Sequence, residues 1–220
     1  MSVADIFVGA IAAFTPELDN LYEGAKEYTL STWELQQRAL ATASGAAAVA
    51  IPGVHVAGIA ADLAFVVNRM GVSSFGVGSI IGNQRNHGFM LEKTDFGAVL
   101  GYWADDSALK EAMRGKGAAD LSSKVGFKLA TKMYGKAATL VISEALLTSS
   151  GYLIGQKLGG KAMAKVGAKV AAKFATKAAA GFVPFLGPAV GGGINLWLIS
   201  GIMSAAQEFY TDKANLIDRL

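Results

Sequence analysis

The chain has 220 residues, a length that allows a sizeable buried core, and it has no cysteine, which excludes disulfide frameworks, thiolate metal sites and cysteine nucleophiles. Hydrophobic residues make up 52% of the chain and charged residues 17%, which is apolar for a soluble domain but polar for a multi-span membrane protein. The net charge of +3 is divided unevenly: residues 1–112 hold 6 basic and 12 acidic residues, whereas residues 113–220 hold 14 and 5. Such a chain either neutralises one half with the other or presents a basic surface to an anionic partner.

The first half reads as a series of helices. Thr15 and Pro16 are suited to a helix start, Ser31 and Glu34 match a capping box, and Pro52 ends the helix that follows. The predicted helices cover residues 16–28, 33–51, 54–70, 96–103 and 106–114. The first ten residues contain Asp5 and no basic residue, which is not typical of a secretory or mitochondrial leader. We therefore expect a cytoplasmic protein, with peripheral attachment to a membrane as the variant.

Three stretches are predicted to be irregular. The small-residue run at 73–82 leads into the polar segment NQRNHG at 83–88, which is typical of a surface loop. Gly115 and Gly117 then form the expected joint between the acidic half, 1–112, and the basic half, 113–220.

Lysines recur every four residues beyond this joint, a spacing that places neighbouring lysines on one face of a helix. Small apolar residues such as Ala162 and Val166 share the spacing, which allows close helix packing. Such a face is either simply solvated, or binds anionic lipid headgroups, or binds nucleic acid without specificity. Specific nucleic-acid recognition is not expected, because these runs contain no arginine, the side chain that most often pairs with base edges. The two runs are Lys124, Lys128, Lys132 and Lys136, and Lys157, Lys161, Lys165, Lys169, Lys173 and Lys177.

The alternation of apolar and polar residues that is typical of strands is absent from the sequence. We therefore predict an all-α fold, a compact Ala/Gly-rich multi-helix domain that spans residues 1–220 as one unit.

Two segments resemble each other at an offset of about 133 residues. Each places a proline before a helix that contains a glycine and then Asp-Leu or Asn-Leu, with small residues four apart. The pattern predicts a pseudo-twofold helical core in which the two segments cross. The polar and small residues expected at the crossing are His55, Gly58, Asp62, Gly187, Gly191 and Asn195.

The same two segments resemble the EcsC family, which is named for a protein encoded beside an ABC transporter. IPGVHVAGIAADLAFVVNRM is similar to the family's Pro-Gly segment that leads to Ala-Asp-Leu, and FVPFLGPAVGGGINLWLISGIMSAAQEFY is similar to its closing pattern of proline, glycines, asparagine and a late aromatic residue. The resemblance extends over about residues 33–210 and is weakest at 84–106. It implies a helical architecture and a bacterial or phage-like origin, and it brings no agreed catalytic residues.

Residues 178–207 contain no formal charge, and a bilayer core needs a span of about 20 apolar residues. Pro184 and Pro188 interrupt the segment and leave an uninterrupted piece at 189–206. The segment is therefore a pair of buried core helices, a hairpin that inserts reversibly into a membrane, or a permanent transmembrane helix.

Few residues are suited to catalysis or metal binding. His55 and Asp62 are seven residues apart and share a helical face, so they form either a proton-linked or catalytic pair, or polar groups that satisfy their neighbours where two glycine-rich helices cross. His87 has too few companions for a metal site, and the glycine-rich stretches lack the lysine of a phosphate-binding loop. We predict no catalytic residue, no metal site and no cofactor.

The leading hypothesis is a membrane-associated or membrane-regulatory protein that contacts an anionic membrane surface or a membrane protein through a glycine-rich hairpin at 184–203 and a lysine-striped helix. Three alternatives stay open: a pore-forming helical effector, a soluble protein that assembles with copies of itself, and an enzyme of unknown type that uses Asp62 and His55. The residues predicted to make the membrane or partner contact are Lys157, Lys161, Lys165, Lys169, Lys173, Lys177, Phe182, Pro184, Phe185 and Trp197.

Overall fold

A computed structural model of the chain describes residues 14, 16–48, 55–93, 95–105, 107–114, 172–173 and 186–219, with the backbone alone at 48, 55–60, 108–109, 112 and 186–189. These residues form helices without any strand, so the all-α prediction is confirmed for the described part of the chain. Six helices have defined bounds in it: α1 Leu18–Ala25, α2 Leu30–Ala48, α3 His55–Gln84, α4 Asp95–Trp103, α5 Ser107–Met113 and α6 Leu186–Ile217.

Helix α2 begins earlier than the capping-box pattern predicts. The backbone N–H of Thr32 donates to the hydroxyl of Thr29 at 3.2 Å, so Thr29 is the residue that caps the helix. Ser31 already lies inside the first turn, and Glu34 pairs with Arg38 one turn further along instead of turning back to a cap. The predicted capping box at Ser31 and Glu34 is therefore wrong by two residues.

Helix α3 continues for 30 residues, through the small-residue stretch that the sequence predicts to be irregular. Its glycines are tolerated because aromatic rings of other elements lie where their side chains would be. Gly71 faces Phe14, Gly76 faces the indole of Trp33, and Gly78 faces the ring of Tyr210. The helix ends at Gln84, and the polar segment expected as a loop provides the turn that follows.

Helix α6 replaces the glycine-rich hairpin expected at 184–203. From Leu186 onward the segment is one helix of 32 residues, so the hairpin prediction is wrong for residues 186–203. Pro188 is the third residue of this helix, in the first turn, where backbone N–H groups have no partner within the helix. A proline there removes no hydrogen bond of the helix, which continues to Ile217.

Helix α6 is the central element and packs against α2, α3, α4 and α5. Helix α2 runs antiparallel to α3, because Ser44 contacts Asp62 whereas Trp33 donates to the carbonyl oxygen of Ser73. Helices α3 and α6 run parallel and in register. Asp62 contacts Asn195 and Arg85 contacts Asp218, pairs that are both 133 residues apart. That separation equals the offset of the two similar segments, and the internal repeat itself stays a prediction.

Candidate functional site

Three of the residues predicted to mark a helix crossing meet in the structure. Asn195 donates its side-chain N–H to both carboxyl oxygens of Asp62, at 2.9 and 3.2 Å, and Ser44 donates to Asp62 at 2.6 Å. A Cβ added at Gly45 would overlap the carbonyl oxygen of Gly191 and lie 2.6 Å from the Asn195 amide nitrogen. We call this group, Ser44, Gly45, Asp62, Gly191 and Asn195, the glycine crossing. It holds the backbones of α2 and α6 close together with Asp62 of α3 against them.

The other predicted crossing residues lie in the first turns of α3 and α6. His55 and Gly58 belong to α3 and Gly187 to α6, and their surroundings fall outside the described residues. Asp62 is 4% exposed and its carboxyl group faces Asn195 and Ser44. A carboxyl group in this position is directed toward the helices that it joins and away from solvent.

Two of the residues predicted to contact a membrane or partner are described, and the structure brings them together. The ammonium nitrogen of Lys173 lies 5.4 Å from the centre of the Trp197 indole ring, within the range of a cation–π contact. The remaining predicted contact residues, Lys157, Lys161, Lys165, Lys169, Lys177, Phe182, Pro184 and Phe185, lie outside the described residues, as do Lys124, Lys128, Lys132 and Lys136.

Trp197 is part of a pair of indoles on the surface that α4 and α6 share. Its ring centre lies 5.5 Å from that of Trp103, and the two ring planes are tilted by 57°. A Cβ at Gly201 would lie 2.5 Å from the Trp103 ring nitrogen, so the missing side chain at Gly201 allows the Trp103 indole to lie against α6. Trp197 is 36% exposed. We call Trp103 and Trp197 the tryptophan pair.

The exposed part of α6 forms a narrow stripe. Leu196 and Trp197 are both exposed, and Gly193, Ser200 and Ser204 continue their line at helical spacing with exposed or partly exposed positions. The opposite side of the same turns is buried, including Ile194, Leu198, Ile199, Ile202 and Met203. Of the segment expected to insert into a membrane, the described residues 190–207 are therefore mostly core. We call Gly193, Leu196, Trp197, Ser200 and Ser204 the outer stripe.

A buried ion pair that the sequence analysis missed joins α4 to the end of α6. Lys213 donates to both carboxylate oxygens of Asp95, at 2.8 and 2.9 Å, and lies 3.8 Å from a carboxylate oxygen of Glu92. Lys213 and Asp95 are each 1% exposed. We call Glu92, Asp95 and Lys213 the ion-pair cluster.

Burial dominates the electrostatics of this cluster. It raises the pKa of Asp95, although the charge of Lys213 and the hydrogen bonds that Asp95 accepts from Lys213 and the Glu92 backbone act in the opposite direction. Burial and the negative charge of Asp95 also raise the pKa of the Tyr210 hydroxyl. Because removing both charges from water is costly, the pair is better understood as a constraint on how α4 and α6 meet than as a net source of stability.

Metal binding and membrane crossing can both be examined in the described part of the chain. No group of three or more histidine, aspartate or glutamate side chains that could hold a metal ion is present among the described residues. One stretch of them, Ala61–Gln84 in α3, is long and apolar enough to cross a bilayer, and 72% of its apolar window is buried inside the protein, as in the core helix of a soluble domain.

The sequence analysis missed the ion-pair cluster and the partner of Trp197, although the sequence contains a signal for each. Lys213 follows Phe209 and Tyr210 at helical spacing and precedes Ala214 and Leu216, so it occupies a core position in an otherwise apolar pattern. Trp103 ends a short apolar helix whose last turn is aromatic. Neither signal names its partner, because the contacts join residues about a hundred positions apart.

No protein-family model matches the chain, and comparisons with curated proteins and with solved structures give no significant match. A function for this protein is therefore inferred from the chemistry of its own described residues.

Proposed function

We propose that this protein is a peripheral membrane protein whose folded helical domain binds a lipid surface through the outer stripe of α6 and the lysines around Lys173. The observation that carries the proposal is the contact between the exposed residues Trp197 and Lys173, next to which Leu196 is a second large apolar side chain exposed on α6. Tryptophan and lysine are the side chains that proteins favour at the boundary between lipid headgroups and acyl chains.

The binding mode that we propose leaves α6 in place. Leu198, Ile199 and Met203 are completely buried on the inner side of the helix, where α2, α3 and α4 pack. Inserting the whole segment into a bilayer would expose this core, whereas surface binding uses only side chains that are already outside. The proposal therefore differs from the insertion expected of a hairpin.

Lysines contribute the long-range part of the attraction in this proposal. Each lysine near an anionic leaflet contributes about 1 kcal/mol, and this contribution falls with added salt. The basic half of the chain, with its lysines at four-residue spacing, supplies the charge. A membrane-regulatory role of this kind agrees with the EcsC resemblance, whose family is named for a protein encoded beside a membrane transporter.

Flotation of the full chain with vesicles tests the proposal. Vesicles with one third anionic lipid should carry the protein upward at low salt and release most of it in 0.5 M salt. Replacing Leu196 and Trp197 together by alanine should weaken binding roughly tenfold, equivalent to about 1.4 kcal/mol, because both side chains contribute apolar contact area.

Leu35→Ala is the matched control, because Leu35 is 71% exposed but lies on α2. It should leave binding unchanged. If the chain does not float with the anionic vesicles at low salt, the proposal is contradicted. If light scattering also shows an oligomer, the self-assembly alternative replaces it.

A further inference from the structure

The tryptophan pair is already in contact with a cation. The Lys173 ammonium nitrogen lies 5.4 Å from the Trp197 ring centre, and Trp103 stands beside that ring at a tilt of 57°. The indole face carries partial negative charge and attracts cations, and tryptophan attracts them more strongly than tyrosine or phenylalanine does. The surface therefore presents two indoles at an angle, with a positive group over one of them.

The position of the pair is fixed by the helices beneath it. Gly201 leaves room for the Trp103 indole against α6, and Trp197 extends from the same helix one turn earlier. Lys173, in contrast, is exposed and reaches the ring through a flexible stem. The indoles are thus the fixed part of the contact, and the lysine is the part that can move away.

We propose that the tryptophan pair is a recognition site for a quaternary ammonium group, as found in a choline headgroup, and that Lys173 covers this site until the ligand binds. A trimethylammonium group is less strongly hydrated than a lysine ammonium, so it loses less on contact with an indole face. When the ligand displaces Lys173 from Trp197, the freed ammonium group pairs with the phosphate next to the choline nitrogen. The lipid source of this ligand rests on the proposed function, and free phosphocholine offers the same chemistry.

Ligand-detected NMR on the full chain tests this proposal without vesicles. Saturation transfer from the protein to the methyl protons of phosphocholine should be observed, and it should saturate with concentration. Phosphoethanolamine, which carries a primary ammonium in place of the trimethylammonium group, should compete at least threefold more weakly, a ratio within the range of cation–π energies. Absence of transfer, or equal competition, overturns the proposal.

Variants at the pair separate recognition from general binding. Trp197→Leu should remove most of the transfer, whereas Trp197→Phe should retain part of it, because a phenyl face attracts cations less strongly. Phe65→Leu is the control, since Phe65 is 40% exposed on α3. Circular dichroism on each variant shows that the helices have formed. Equal transfer to Trp197→Leu and to the parent chain contradicts the proposal.

Lys173→Met gives a test that a merely structural lysine would not pass. Without the Lys173 ammonium group over Trp197, tetramethylammonium should bind about threefold more tightly. Phosphocholine also loses the lysine that pairs with its phosphate, so its affinity should rise by less than that or fall. Equal shifts for the two ligands contradict the assigned role of Lys173.

Flotation with vesicles of phosphatidylcholine and with vesicles that lack choline distinguishes the two proposals. If phosphocholine binds but no vesicle carries the protein, the site stands with a soluble ligand and the membrane proposal fails. If anionic vesicles bind but phosphocholine does not, the membrane proposal stands and the choline site is excluded.

Discussion

In the described part of the chain, α6 buries polar groups against its neighbours at the glycine crossing and at the ion-pair cluster, and the two sites do so by different means. At the glycine crossing, the donors that we describe on Asp62 are a hydroxyl and an amide, both neutral, and the helix backbones approach closely. At the ion-pair cluster, a full positive charge on Lys213 meets Asp95 among aromatic rings, with the ring centre of Phe209 5.9 Å from the ammonium nitrogen.

The difference teaches what each end of α6 depends on. The glycine crossing depends on the absence of side chains, because the added volume of one methyl group at Gly45 would overlap backbone atoms. The ion-pair cluster depends on the balance of charge, because a buried charge without a partner is strongly destabilising. Substitutions that add volume should therefore lower stability at the glycine crossing, and substitutions that remove a charge should lower it at the ion-pair cluster.

The largest effect is expected from Lys213→Met, which keeps most of the length of the side chain and removes its charge. Asp95 then stays buried beside Glu92 without a cation, and the free energy of unfolding at pH 7 should fall by about 3–5 kcal/mol. Adding Asp95→Asn should recover most of this loss, since the amide oxygen can still accept the hydrogen bond from the Glu92 backbone N–H. Urea denaturation followed by circular dichroism measures both changes.

The same variant should respond to pH in a direction that the pKa of Asp95 determines. Burial raises that pKa in the folded protein, and removing Lys213 removes the attraction that opposes the rise. The folded state then binds the proton more tightly than the unfolded state, so Lys213→Met should gain stability as the pH falls from 7 toward about 4. The double variant lacks the carboxyl group and should not show this gain. If Lys213→Met alone is as stable as the parent chain at pH 7, Lys213 is not the cation that compensates the buried charge of Asp95.

The contact between Asp62 and Asn195 in the glycine crossing could be anticipated from sequence, whereas Ser44 and Gly45 of α2, which also form it, were not predicted. Asp62 and Asn195 occupy equivalent places in two similar segments, and small residues surround each of them. Helix-favourable composition also predicted the start of α4 to within one residue. Local preferences of this kind are visible in one stretch of chain without knowledge of its partners.

The ion-pair cluster and the full lengths of α3 and α6 could not be predicted in the same way. Glycines at 71–82 and Pro188 favour a break locally, but Trp33, Tyr210 and the position of Pro188 in a first turn make the helices continuous. These are tertiary effects, and their partners lie far away in the chain. A lysine such as Lys213 is usually solvated, so its burial becomes apparent only when Asp95 is placed beside it.

A smaller loss, of about 3 kcal/mol, is expected from Gly45→Ala. The added methyl group would overlap the carbonyl oxygen of Gly191, and backbone atoms move aside less easily than a flexible side chain. Gly193→Ala is the matched control. Gly193 lies in α6 two residues after Gly191, and nothing lies within 4 Å of a Cβ added there. The control should gain about 0.5–1 kcal/mol from the better helix propensity of alanine. Equal effects of the two variants in urea denaturation would show that α2 and α6 are not closely packed.

The smallest effect is expected from Ser44→Ala, which removes one of the three hydrogen bonds described for Asp62 and leaves the two from Asn195 in place. A hydrogen bond to an acidic group contributes about 1.5–3 kcal/mol, and the gain in helix propensity from serine to alanine returns about 0.5, so a net loss of about 1–2 kcal/mol is expected. Ser204→Ala provides the comparison, since Ser204 is exposed on α6 and should show the gain alone. Because the crossing depends mainly on close backbone approach, the loss at Ser44 should stay below that at Gly45. The reverse order would mean that hydrogen bonding to Asp62, more than the absence of side chains, holds the three helices together.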